Sequence, residues 1–168
     1  MLLNLGVTQH QQARLDDALH HYEACSAIFR DIGDIWWQAR TSLRIGDAFR
    51  GQGRCDEALI YLHQAEQAFQ QLNHPFATAA TQLSIGEVFL QLGRAHDAHA
   101  CFQEALVVSR EFGARLTEAQ VLRSLCAALT AIGDRARAQA AWRDALVILQ
   151  QSGISQSALL TPHLIEPT

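Results

Sequence analysis

The chain has 168 residues, of which 49% are hydrophobic and 18% charged, with a formal net charge of −4. That apolar content excludes a disordered chain, and the surplus of acids argues against direct nucleic-acid binding. With 27 Ala, 22 Leu, 17 Gln and 13 Arg but no Lys, the composition favours helix over strand.

The apolar periodicity predicts helix pairs at 1–12 and 15–32, 35–51 and 55–72, 75–91 and 95–112, and 115–131 and 135–152. In the second pair Asp34 is a natural N-cap, and Gly51 and Gly53 end the first helix. The next helix starts near Asp56 and carries Ala58, Leu59, Leu62, Ala65, Ala68, Phe69 and Leu72 on one apolar stripe. Asn73 stops it, and Pro75 sits in the first turn of the helix that follows.

These pairs repeat every 40 residues. Gly6, Gly46, Gly86 and Cys126 form one column, and Ala18, Ala58, Ala98 and Ala138 another. Tyr22, Leu62, Phe102 and Trp142 keep the same step, as do Cys25, Ala65, Ala105 and Ala145. Leu5, Ile45, Ile85 and Leu125 form a further column, and Gly33, Asn73, Gly113 and Gly153 close the units. Small residues at fixed steps let two antiparallel helices approach closely, and the bulky residue beside them fills the space. Such a unit cannot bury its stripe alone and needs its neighbours. The period by itself admits HEAT or armadillo repeats as well.

The order of small and bulky residues resembles the tetratricopeptide repeat. Gly46, Phe49, Ala58, Leu62 and Ala65 carry the likeness, as do Gly86, Phe89, Ala98, Phe102 and Ala105. The fourth unit carries it through Leu129, Ala138, Trp142 and Ala145, whereas the first departs at Gln9 and Cys25. The period of 40 instead of 34, and the missing closing proline, resemble the longer variant of bacterial regulators. The likeness implies an all-α, right-handed α-solenoid over 1–153, with repeats at about 1–33, 34–73, 74–113 and 114–153. Segment 154–168 is expected to be the start of a further helix and a tail, leaving both ends of the array looking cut.

In that family the first helix of each pair lines a concave face that holds peptides or helices. Carried over, the protein-binding positions are Arg40, Leu43, Arg44, Asp47 and Arg50 in the second unit. In the third they are Leu83, Ser84, Glu87 and Gln91, and in the fourth Gln120, Arg123, Ser124 and Thr130. Arg40, Arg44 and Arg123 suit bidentate contacts with carboxylates or phosphates; the rival reading pairs such arginines with Asp47 and Glu87. The clamp for chaperone tails is not expected, because Leu3, Val7, Ala80 and Ser84 stand with Arg44 at its positions. Trp36 shares its column with Phe76 and Leu116 and is expected in the inter-repeat core. Trp37 shares its column with Ala77 and Thr117, so it is a candidate hydrophobic anchor, with edge packing as the rival.

No metal site, cofactor or catalytic residue is expected. His96 and His99 could face one ion, but a site needs three or four ligands, and His20 and His21 read as surface residues. The four Cys lack a CxxC spacing and fall near small-residue columns. No nucleophile–base order, phosphate loop or HExxH pattern is present. No signal peptide or run of ~18 apolar residues appears, so a cytoplasmic chain without a membrane span is expected. The Arg-only basicity suggests a GC-rich bacterial genome. The expected function is a protein-interaction module of a bacterial signalling or transcriptional regulator, binding a peptide or protein segment and not acting as an enzyme. The alternative is a structural solenoid that self-associates through its open ends, and a metabolite sensor stands between the two.

Overall fold

A computed structural model describes residues 2–12 and 14–151. Its helices are α1 (Leu2–Gln11), α2 (Leu15–Ile32), α3 (Ile35–Gly51), α4 (Cys55–Gln71), α5 (Pro75–Gln91), α6 (Ala95–Glu111), α7 (Arg115–Ile132) and α8 (Arg135–Gln151). Among the described residues no strand occurs. The helix pairs stack in order as an α-solenoid. Gly153 and the segment 154–168, read above as a unit's close and a partial helix, lie outside the described residues.

The helices stop where the sequence supplies a left-handed residue. Positive φ occurs at Gly33, Gly53, Asn73, Gly93, Gly113 and Gly133, one every 20 residues. At each the chain closes the same way: Gly53 N donates to Arg50 O at 3.0 Å and Arg54 N to Phe49 O at 2.9 Å. These bonds satisfy carbonyls that the helix end would otherwise leave open. Asn73, at φ 49, holds the one such position filled by another residue type, as its tolerance of this region allows.

The helices begin either with a side-chain cap or with an ion pair across the first turn. Entering the first helix of a unit, Asp34 Oδ1 accepts from Trp37 N at 3.1 Å, and His74 Nδ1 accepts from Ala77 N at 3.3 Å ahead of Pro75. Entering the second, Arg14, Arg54 and Arg94 pair with Asp17, Glu57 and Asp97 at 2.6, 2.7 and 2.7 Å. Arg54 and Arg94 also lie 4.4 Å over the rings of Phe49 and Phe89. The fourth unit inverts the charges, with Asp134 pairing Arg137.

The 40-residue columns are packing columns. Tyr22, Leu62 and Phe102 are fully buried, each against the glycine sixteen residues before it. A Cβ at Gly46 would lie 2.6 Å from Leu62 Cγ, and one at Gly6 would lie 2.6 Å from Tyr22 Cε1. In the fourth unit Cys126 replaces the glycine, and Trp142 is only half-buried. Burying each such bulky side chain contributes about 1.5–3 kcal/mol, available only because its glycine admits the approach. Buried hydroxyls within the helices turn back on their own turn: Thr41 donates to Trp37 O and Thr81 to Ala77 O, both at 2.8 Å.

The curvature follows from which helices meet. Among the described residues, successive first helices touch one another (α1 with α3, α3 with α5, α5 with α7), whereas no two second helices do. The first helices therefore line the inner, concave side.

Candidate functional site

The concave face is built on α3, α5 and α7, whose equivalent turns stand side by side. Asp47 of α3 and Glu87 of α5 share a column, and both are mostly buried, with side chains 14% and 20% exposed. Each is held by the unit that follows. Ser84 Oγ donates to Asp47 Oδ1 at 2.7 Å, and Ser124 Oγ donates to Glu87 Oε1 at 3.2 Å. Arginines complete the charge: Arg44 lies 3.7 Å from Asp47, Arg50 bridges Asp47 at 3.9 Å and Glu87 at 3.0 Å, and Arg123 meets Glu87 at 3.2 Å. The result is a ladder of alternating charge across three units. Its charge-assisted bonds are about twice as strong as neutral ones, and they fix the guanidinium groups in place.

The expected residues therefore divide. Arg44, Asp47, Arg50, Ser84, Glu87, Arg123 and Ser124 come together in the ladder. Leu43 and Leu83 pack into the core beneath it. Gln91 is exposed at the end of α5 and accepts from Cys55 Sγ at 3.4 Å, apart from the ladder. Gln120 is half-buried on α7. Thr130 is exposed and bonds Cys126 O of its own helix at 2.8 Å.

Arg40 stands apart from the other arginines. Its guanidinium lies 5.2 Å from the ring centroids of both Trp36 and Trp37. The two indoles meet edge to face at 4.7 Å, and Trp37 stacks on Phe29 at 5.4 Å. This aromatic bracket orients Arg40 through cation–π attraction, and no carboxylate among the described residues pairs with it. Both Trp36 and Trp37 are half-buried, with Trp36 packed against the core.

Where the ladder meets the first unit, polar groups are trapped. Tyr22 Oη, Gln9 Oε1 and Arg50 Nε are buried without a hydrogen-bond partner among the described residues. Burial pushes the Tyr22 hydroxyl up to about 12. Burial also lowers His10, which feels Asp47, Arg50 and Arg44 nearby.

Sequence reasoning missed Glu118. Glu118 is not among the expected residues, yet it is 6% exposed and held by Arg110 at 3.0 Å and Arg115 at 3.6 Å. The neighbouring arginines were the available signal. His99 Nε2 lies 2.9 Å from the guanidinium Nη2 of Arg137. Among the described residues no group of three His, Cys, Asp or Glu is placed to hold a metal, and no helix is long and apolar enough to cross a membrane.

Comparison with solved structures places this geometry among known folds. BtubC (BKLC) from P. vanneervenii is similar, with a TM-score of 0.80 at 18% identity over 99% of this chain and 68% of that one. Aspartyl phosphate phosphatase F from Bacillus subtilis has a TM-score of 0.79 at 13% identity, covering 90% of this chain and 40% of its own. A putative kinesin light chain with nearly identical TPR-like repeats from Podosopora anserina has a TM-score of 0.68 at 15% identity, over 92% and 76%. At such identities the likeness is one of fold, and this chain spans two fifths of the phosphatase. No curated protein matches the chain. The tetratricopeptide repeat family matches residues 1–71 and 37–111, the stretch that contains the first three members of the Gly–Ala columns and their bulky partners. The chain belongs to the tetratricopeptide repeat family, whose repeats generally mediate protein–protein interaction.

Proposed function

We propose that the chain holds an acidic segment of a partner protein along its concave face. The observation that carries this reading is Arg40 on α3, held 5.2 Å from the ring centroids of both indoles, with no carboxylate partner among the described residues. Around it the charge is lopsided. Arg44, Arg50 and Arg123 share two carboxylates, Asp47 and Glu87, and Arg40 adds a fourth positive charge beside them on the same helix as Arg44, although the chain as a whole carries −4. A carboxylate docking on Arg40 would gain a charge-assisted pair of about 1.5–3 kcal/mol, and Trp37 offers apolar surface beside it. The long 40-residue period supports a setting in a bacterial signalling or transcriptional regulator in the cytoplasm, as its sensor or scaffold. A DNA-binding or NTPase domain in the same reading frame would test that setting.

The binding test is fluorescence anisotropy with a labelled Glu-rich amphipathic peptide and its Gln counterpart. The Glu peptide binds more tightly, binding weakens with salt, and Arg40→Gln removes most of the preference. Equal binding of the two peptides, or none of either, would refute the reading.

One observation favours a second reading, self-association. Leu5 is 46% exposed, whereas Ile45, Ile85 and Leu125 in its column are 1%, 2% and 6% exposed. A second copy could cover that face. Light scattering at high micromolar concentration tests this, and a strict monomer excludes it.

A further inference from the structure

A second recess lies away from the ladder and shares no residue with it. An open cleft of about 630 Å³ runs between the end of α4, the first turns of α5 and the outer part of α6. Its walls include Gln70, Thr78, Gln82, Glu104, Val107 and Val108. The volume is in the range of small-molecule sites.

The cleft exists because one column changes length. In the second unit Gln38 reaches back to the preceding helix, donating from Nε2 to Phe29 O at 3.0 Å. In the fourth unit Glu118 takes that position, and Arg110 of the preceding helix reaches over to it at 3.0 Å. Both side chains bridge the notch between one unit and the next. In the third unit the column holds Thr78, whose short side chain bonds its own helix at His74 O, 3.2 Å away. Gln70, in the column of Arg110, makes no side-chain bond across the notch among the described residues.

What the open notch presents is apolar on one side and anionic at the end. Val107 is 65% exposed and lies beside Val108 in the wall. Among the described residues Glu104 is the one carboxylate lining the cleft, and no Arg lines it. Gln82, itself 8% exposed, donates from Nε2 to Glu104 Oε2 at 2.6 Å. That bond holds the carboxylate at the cleft and leaves Oε1 as an acceptor. We propose that this cleft binds a guanidinium carried on an apolar stem. Its planar donors meet Glu104 as the stem lies on Val107 and Val108. The ligand thereby occupies the notch that Gln38 and the Arg110–Glu118 pair close in the neighbouring units. This inference is independent of the concave-face reading.

The test is an amide NMR titration of the chain with benzylguanidine, with its neutral near-isostere benzylurea, and with acetylarginine methylamide. Benzylguanidine moves the amides of Thr78, Val107 and Val108, and it binds about tenfold more tightly than benzylurea. Glu104→Gln abolishes that difference, and Thr78→Gln, which restores the bridging length of Gln38, weakens both ligands while the rest of the spectrum is unchanged. If acetylarginine methylamide binds better than benzylguanidine, the guanidinium comes from a partner's arginine; if worse, it comes from a free small molecule. Both results keep the proposal. Equal affinity for guanidine and urea, a preference that survives Glu104→Gln, or no movement of the three amides would overturn it.

Discussion

Replacing Gly86 by Ala tests the packing columns directly. In an open helix interior the change stabilises by about 1 kcal/mol, the helix-propensity difference. Here the new methyl would lie 2.8 Å from Phe102 Cδ1 and 2.9 Å from Cζ, against a normal carbon separation of about 3.5–4.0 Å. Phe102 is fully buried, so its ring cannot swing away without disturbing neighbours, and overpacking of this kind costs about 1–3 kcal/mol. With three atoms of a rigid ring, Cε1 nearest and then Cδ1 and Cζ, inside normal contact distance, the cost lies in the upper half of that range. The net result is destabilisation of about 1–2 kcal/mol, read from urea midpoints followed by circular dichroism. A Phe102→Val background removes the opposing ring atoms, and there Gly86→Ala turns stabilising. Gly93→Ala is the control: nothing lies within 4 Å of its Cβ, yet φ is +72, so it costs about 1 kcal/mol in either background. A rise in the midpoint for Gly86→Ala alone, or no sign change with Phe102→Val, would refute the reasoning.

Tyr22→Phe removes a buried hydroxyl without a partner and leaves the ring that Phe102 carries in the same column; it raises the urea midpoint, by about 1 kcal/mol of stability, and a fall of that size would show the hydroxyl to be bonded. Asp47→Asn weakens the ladder between the second and third units and costs about 1–2 kcal/mol, less in a Ser84→Ala background; additive losses would mean that the two residues do not interact. The chain is also acid-sensitive through His10 and His99, both lowered first by burial and then by neighbouring arginines. The unfolded chain takes up protons on these groups before the folded one does. Their contribution is therefore full above the ordinary histidine value of 6.5 and is lost as pH falls through their folded values. Urea midpoints between pH 7.5 and 5.5 fall, and they fall less in His10→Gln/His99→Gln; a slope unchanged by the double variant would contradict this.

The helix plan was legible because its punctuation is local. Asp34 caps, Asn73 and the glycines stop, and their chemistry acts within four residues, so the predicted ends lie within a residue or two of those observed. The close approach at Gly46 and Gly86 was legible too, because a 40-residue column lines up a missing side chain with a bulky one. The arrangement of the site was less so. Whether Arg44 is free or paired depends on the rotamers that bring it to Asp47, and the bracket around Arg40 depends on Phe29 stacking from a different helix. The cleft at Thr78 is a matter of side-chain length compared across units, and burial of Glu118 requires arginines from two helices. Column arithmetic nevertheless carried one unread signal: a serine 37 residues after an acid occurs at both Asp47–Ser84 and Glu87–Ser124.

The span of those lateral bonds has a consequence for how the chain folds. Ser84 reaches Asp47 across 37 residues, Arg123 reaches Glu87 across 36, and Arg137 reaches His99 across 38. Among the described residues, helices meet only those one or two places away in order. Every docking step therefore closes a loop of the same modest size, and loop-closure entropy grows only with the logarithm of that size. Lengthening such a chain by whole units adds further steps of equal cost and no longer-range ones. Its folding speed, which depends on the sequence separation of its contacts, is thus set by the single unit and its neighbour. An array of this kind can grow by duplication without becoming slower to find its structure.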